Sequence, residues 1–111
     1  FGGDDKVARQ GIIDPEKGMV HPAALTLGCV PEYPVTSSYN IARLLDFPKP
    51  YGWSSNSSHW GDCLQAVRFG ATTVEKHLCL GKLDPEGRWS LLPDEFRKMA
   101  GDLREAARVG G

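Results

Sequence analysis

The sequence predicts an α/β fold made of parallel strand–helix units. Three observations carry that prediction. A short apolar or alternating run is followed by a helical pattern three times between residue 24 and the end of the 111-residue chain, and strands alternating with helices imply βαβ units and a parallel sheet. Each run has two unlike sides. Thr26 and Gly28, Gly52 and Ser54, and Glu75 and His77 are expected on one side, with Leu25 and Leu27, Tyr51 and Trp53, and Val74 and Leu78 on the other. Apolar sides under an outer layer of helices, with a polar pocket at the strand ends, are what a (β/α)8 barrel shows. Finally, no Gly-x-Gly-x-x-Gly follows any of the strands, which removes the main support for an open dinucleotide-binding sheet. A complete barrel takes about 250 residues. Three units therefore predict a partial barrel, roughly its last three-eighths, present as a fragment or completed by another chain, with two open sheet edges.

Residues 1–23 read as a poorly structured lead-in, and 24–111 as the barrel part. Within the lead-in, residues 5–10 can form a short helix end, Asp14-Pro15-Glu16-Lys17-Gly18 reads as a turn and His21-Pro22 as loop. Residues 24–30 form an apolar strand that Pro31 ends, and Pro31-Glu32-Tyr33-Pro34 is a rigid loop. Ser37 or Ser38 can cap a short helix whose apolar face is Ile41, Leu44 and Leu45, and Pro48 and Pro50 stop it. Residues 51–54 are the second strand, followed by a polar loop to His59. Trp60, Cys63, Leu64 and Val67 recur at helical spacing over residues 60–69, with Gly70 as the stop. Residues 72–80 are the third strand and 81–89 a loop. The last helix starts at Pro93, with Asp94 and Glu95 in its first turn and an apolar face of Phe96, Met99, Ala100, Leu103 and Ala107.

The third strand is the most informative. Side chains alternate along a strand, so Val74, Lys76, Leu78 and Leu80 share one face and Thr73, Glu75, His77 and Cys79 the other. A strand buried on both faces reads as a continuous apolar run. A carboxylate and an imidazole on one face point instead to a wet, functional space.

Composition narrows the classes. With 41% hydrophobic and 24% charged residues the chain is one ordinary globular unit. A net charge of -1 without a long basic run argues against nucleic acid. No apolar run approaches the roughly 20 residues of a membrane span, and the Gly- and charge-rich first ten residues are unlike a secretory leader. Cys29, Cys63 and Cys79 form no CxxC pair. That fits thiols buried as small hydrophobes in a reducing compartment, and the expected location is cytoplasmic.

Four segments resemble one family. Leu27-Gly28-Cys29-Val30-Pro31-Glu32-Tyr33-Pro34 resembles the "HCxxxYP" segment of the sialic acid synthase (N-acetylneuraminate synthase) family. Tyr51-Gly52-Trp53-Ser54-Ser55-Asn56-Ser57 is similar to its "GxSDHT". Phe69-Gly70-Ala71-Thr72-Thr73-Val74-Glu75-Lys76-His77 is similar to its "LGAxxxEKHF", and Ser90-Leu91-Leu92-Pro93-Asp94-Glu95-Phe96 to its "SLxPxEL". The segments run in order over roughly residues 20 to 108. The resemblance implies the C-terminal part of a catalytic TIM barrel. It also implies a transferase that condenses phosphoenolpyruvate with an N-acyl amino sugar, such as N-acetylmannosamine, to a nine-carbon 2-keto sugar acid. A divalent metal, typically Mn²⁺, and a homodimer come with that family, and the isolated part is expected to be inactive.

By the same resemblance, His77 matches a metal ligand, Glu75 an inward catalytic glutamate, Ser54 a phosphate-contacting serine and Tyr33 a sugar-contacting tyrosine. Glu86, in Leu83-Asp84-Pro85-Glu86-Gly87, takes the place of a sugar-binding Asp. Asn56 stands where the family has its second metal-ligating His, and Ser55 where it has the preceding Asp. Asn is the weaker ligand for a transition metal. His59, three residues on, is a candidate substitute if both fall on one helical turn. The alternative reading is a non-catalytic relative or fragment that binds sugar or phosphate, or serves assembly. A Schiff-base aldolase using Lys76 has little behind it, because parity puts Lys76 on the helix side.

Overall fold

The computed structural model describes residues 7–10, 13–14, 19–20 and 26–110. Its elements are β1 (Ala8–Gln10), β2 (Ile13–Asp14), β3 (Met19–Val20), β4 (Thr26–Cys29), β5 (Tyr51–Ser55), α1 (Gly61–Arg68), β6 (Thr73–Leu78), β7 (Ser90–Leu91) and α2 (Pro93–Gly110). Strands β4, β5, β6 and β7 are parallel neighbours, β1 pairs antiparallel with β4, and β2 and β3 form a separate antiparallel pair. The fold is α/β, part of a (β/α)8 barrel, with β4, β5 and β6 as its strands.

Several expectations are corrected. Ala8–Gln10 is strand, where a helix end was expected, and it occupies the outer edge of β4. The expectation of two open edges therefore fails on that side. At the other end, β7 pairs with β6 only at His77 and Leu78. Of the expected turn at residues 14–18, Asp14 ends β2 and the rest lies outside the described residues, as do the His21-Pro22 loop and Leu25.

The first crossover is a six-residue 3-10 helix, Ile41–Asp46. Its cap is Asn40, whose side chain accepts the Ala42 N–H at 3.2 Å, and neither Ser37 nor Ser38 takes that role. Side chains three apart line up on a 3-10 helix, so Ile41 and Leu44 are buried and Leu45 is exposed. Pro48 and Pro50 leave no room for more turns. Helix α1 lies within one residue of expectation, with Trp60 and Phe69 as its flanks. Its buried positions are Cys63 and Ala66, and the half-buried Trp60 packs against the same core. Gly70 ends the turn with φ 104°, a conformation open to glycine at little cost. Helix α2 begins with Pro93, and Glu95 Oε1 accepts the Leu92 N–H at 2.8 Å, one half of a capping box.

The register decides which side chains face where. Thr26 pairs with Tyr51 and Gly28 with Trp53, while Leu27 pairs with Gly52 and Cys29 with Ser54. Paired residues share a face. The expected sides of β4 are thus reversed: Thr26 and Gly28 lie on the helix side, and Leu27 and Cys29 on the interior. The reason lies in the packing. A Cβ at Gly28 would sit 2.6 Å from Leu44 Cδ2 and 3.1 Å from Trp53 Cε3. The missing side chain lets the helical layer close on the sheet. On β5 and β6 the expected sides hold, with Trp53 opposite Val74 and Ser54 opposite Glu75. The core between sheet and helices contains Leu44, Tyr51, Trp53, Cys63, Ala66 and Met99. Leu78 and Leu80, expected on the apolar side, are exposed.

Gly52 carries a second close approach, on the interior side. A Cβ there would meet Leu27 Cδ2 and the backbone Thr73 O of the next strand, both at 2.6 Å. Gly52→Ala is expected to destabilise by about 1–3 kcal/mol, the usual cost of overpacking, measured by denaturant unfolding.

Candidate functional site

The pairing that aligns Ser54 with Glu75 places their side chains together on the interior face. Ser54 Oγ donates to Glu75 Oε1 at 2.7 Å. Ser54 is buried, while Glu75 opens to solvent. Two residues along the same face, His77 is about one-third exposed, at 35%, with its Nδ1 3.8 Å from Glu86 Oε2. Glu86 sits in the loop after β6, at the C-terminal ends of the parallel strands, which is where such folds bind ligands. A carboxylate beside one ring nitrogen orients an imidazole and leaves its Nε2 for a ligand.

Tyr33, after β4, is 56% exposed. Its ring meets that of Trp89 edge-on at 5.7 Å. Trp89 went unnoticed in the sequence. It lies in a short 3-10 turn, Gly87–Trp89, and only its place just before the Ser90-Leu91 segment hinted at a role. Its Nε1 is buried without a hydrogen-bond partner among the described residues.

The side chains of Asn56 and His59 are engaged with other partners. Asn56 is buried, and its Nδ2 donates to Val30 O at 3.0 Å and to Cys29 Sγ at 3.4 Å. Its amide thus ties the end of β5 to the end of β4. His59 is exposed and stacks on Trp60, with centroids 4.0 Å apart. The two do not share a helical turn, because α1 starts only at Gly61. No group of three or more His, Cys, Asp or Glu suited to a metal occurs among the described residues. For a divalent cation this chain offers His77, with the Glu86 carboxylate 3.8 Å from its Nδ1. That is a fitting nitrogen donor but an incomplete set.

On the helix side, Lys76 is buried among Ser55, Ser57 and Asp62. Its Nζ donates to Ser55 Oγ at 3.0 Å and to Ser57 O. Burial lowers the Lys76 ammonium's pKa, partly offset by the Asp62 carboxylate. Asp62 Oδ2 also accepts from Trp53 Nε1 at 2.8 Å. Burial, and then Asp62, push the Cys63 thiol up to about 12. All three cysteines are buried and none is in a disulfide, consistent with thiols acting as small hydrophobes rather than nucleophiles.

The profile of the NeuB family matches residues 17–111. The chain belongs to the NeuB family. Its structure is similar to the N-acetylneuraminic acid (sialic acid) synthetase of Leptospira borgpetersenii serovar Hardjo-bovis, solved with citrate, at TM-score 0.71 and 25% identity over 77% of this chain and 32% of that one. It is also similar to the spore coat polysaccharide biosynthesis protein SpsE of Bacillus subtilis, at TM-score 0.64 and 32% identity over 74% of this chain and 25% of that one. The chain thus spans a third or less of the length of these NeuB-type proteins. No curated protein matches the sequence. No helix among the described residues is long and apolar enough to cross a membrane.

The Asn56 tether can be tested directly. Asn56→Ala leaves the Val30 carbonyl without that partner. It is expected to destabilise by about 1–3 kcal/mol, read from denaturant unfolding of wild type and variant.

Proposed function

We propose that this chain forms the C-terminal part of the catalytic barrel of a phosphoenolpyruvate-dependent sugar-acid synthase. The observation that carries the reading is the Ser54–Glu75 hydrogen bond, 2.7 Å long and two residues from His77 at the strand ends of a NeuB-family barrel. The reaction joins the enol carbon of phosphoenolpyruvate to the aldehyde carbon of an N-acyl amino sugar such as N-acetylmannosamine. Water adds at the carbon that bears the phosphate, and the bond from that carbon to the phosphate oxygen breaks to release inorganic phosphate, giving a nine-carbon 2-keto acid.

Each residue then has a role. Ser54 turns its hydroxyl from Glu75 to an anionic oxygen of phosphoenolpyruvate. Glu75, released, accepts a sugar hydroxyl and orients the acceptor. Tyr33 lays its exposed ring and hydroxyl along the sugar, with Trp89 behind it. Glu86 steadies His77 or receives a second sugar hydroxyl. A divalent cation, if bound, would be held by His77, with Asn56 able to add only an amide oxygen. When bound, such a cation, Mn²⁺ by family likeness, supplies Lewis-acid polarisation of the sugar carbonyl. Three buried thiols without a disulfide suit a reducing cytoplasm.

Asn56, whose amide donors are committed to β4, favours the second reading, a barrel that binds sugar or phosphate without turnover. One set of assays separates the two. The full-length polypeptide is incubated with phosphoenolpyruvate, N-acetylmannosamine and Mn²⁺, and phosphate release is followed beside Mn²⁺ titration. The synthase reading expects turnover, loss of both turnover and Mn²⁺ binding in His77→Ala, and tighter Mn²⁺ binding in Asn56→His. A folded full-length protein that neither binds Mn²⁺ nor releases phosphate belongs to the non-catalytic class.

A further inference from the structure

Lys76 has no part in the chemistry above, yet among the described residues it is the only buried charged side chain. It lies on the helix side of β6, where the preceding residue on that face is the apolar Val74. An apolar side chain would fill this space without desolvating an ammonium. What the lysine adds is three hydrogen bonds to one short segment: Ser55 Oγ at 3.0 Å, the Ser57 carbonyl, and Ser57 Oγ at 3.5 Å. No carboxylate among the described residues lies within ion-pair distance of it. Asp62 reaches it through Ser57, whose Oγ is 2.8 Å from Asp62 Oδ1.

Asn56 sits between those two serines. Its Nδ2 is bonded to Val30 O, and its own carbonyl accepts the Val35 N–H at 3.1 Å. The turn that follows β5 is therefore pinned from β4 and its loop on one side and from beneath by Lys76 on the other. We propose that Lys76 is a positioning residue: it grips the turn after β5 from the helix side of the sheet, and so sets where Ser54 Oγ and the Asn56 amide stand at the mouth. The consequence for catalysis rests on the synthase reading; the grip itself does not.

The experiment compares wild type, Lys76→Met and Asp62→Asn in the full-length protein. Met keeps the stem's length and removes all three donors. Amide hydrogen exchange of the segment around residues 55–59 is measured together with kcat and KM for phosphoenolpyruvate. The expected result is faster exchange in that segment with β6 still protected. KM for phosphoenolpyruvate should rise about tenfold or more while kcat changes far less, the pattern of a displaced binding group. A folded Lys76→Met with lower thermal stability, but unchanged exchange and KM, overturns the proposal and leaves Lys76 as a packing residue. Should Lys76→Met not fold, Asp62→Asn decides: the same pattern in smaller measure supports the grip, and no change overturns it. If the wild type itself shows no turnover, the synthase reading fails, and the exchange measurement still decides the role of Lys76.

Discussion

The parallel register between β5 and β6 is the constraint on which the rest of the site depends. It sets Ser54 beside Glu75 and Ser55 beside Lys76. Because neighbouring side chains alternate, one pair goes to each face of the sheet. Ser54 and Glu75 form the hydrogen bond at the mouth, and Ser55 and Lys76 form the bond beneath it. A slip of one residue would exchange the two pairs, burying a carboxylate under α1 and turning an ammonium into the interior. The packed helix side, with Trp53 held by Asp62 and Tyr51 by Phe69 O, resists that slip.

β5 was legible in the sequence from its aromatic side, Tyr51 and Trp53, and β6 from Glu75 and His77 sharing one face. Glu75 and His77 mark one face of β6 as the interior, although Lys76 lies on the other. β4 was misread because Thr26, Leu27, Gly28 and Cys29 carry no such mark. Its orientation comes from tertiary packing, the space that Leu44, Phe47 and Trp53 take up over Gly28. The first crossover failed for a similar reason. Ile41, Leu44 and Leu45 fit an α-helix as a pattern, but the prolines allow only a 3-10 turn, on which Leu45 faces away. β1 and β7 are too short to show a period at all.

The site was legible as a list of residue types more than as an arrangement. Ser54, Glu75, His77 and Glu86 come to one end of the sheet, with the Glu86 carboxylate near the His77 ring. Tyr33 stands at the loop after β4 with an unanticipated partner in Trp89. Asn56 and His59 share a short loop with different fates, the first bonded inward to β4 and the second stacked outward on Trp60. Spacing along a loop carries no information about that choice, because it depends on which backbone carbonyl of the neighbouring strand is left to bond.

The central claim is that the strand ends around Ser54 and Glu75 receive phosphoenolpyruvate. A crystal structure of the full-length polypeptide with phosphoenolpyruvate bound tests it most directly. The account predicts an oxygen of the ligand within hydrogen-bond distance of Ser54 Oγ, with Glu75 released from that hydroxyl and His77 facing the same cavity. A ligand bound elsewhere, with the Ser54–Glu75 bond intact, would contradict it.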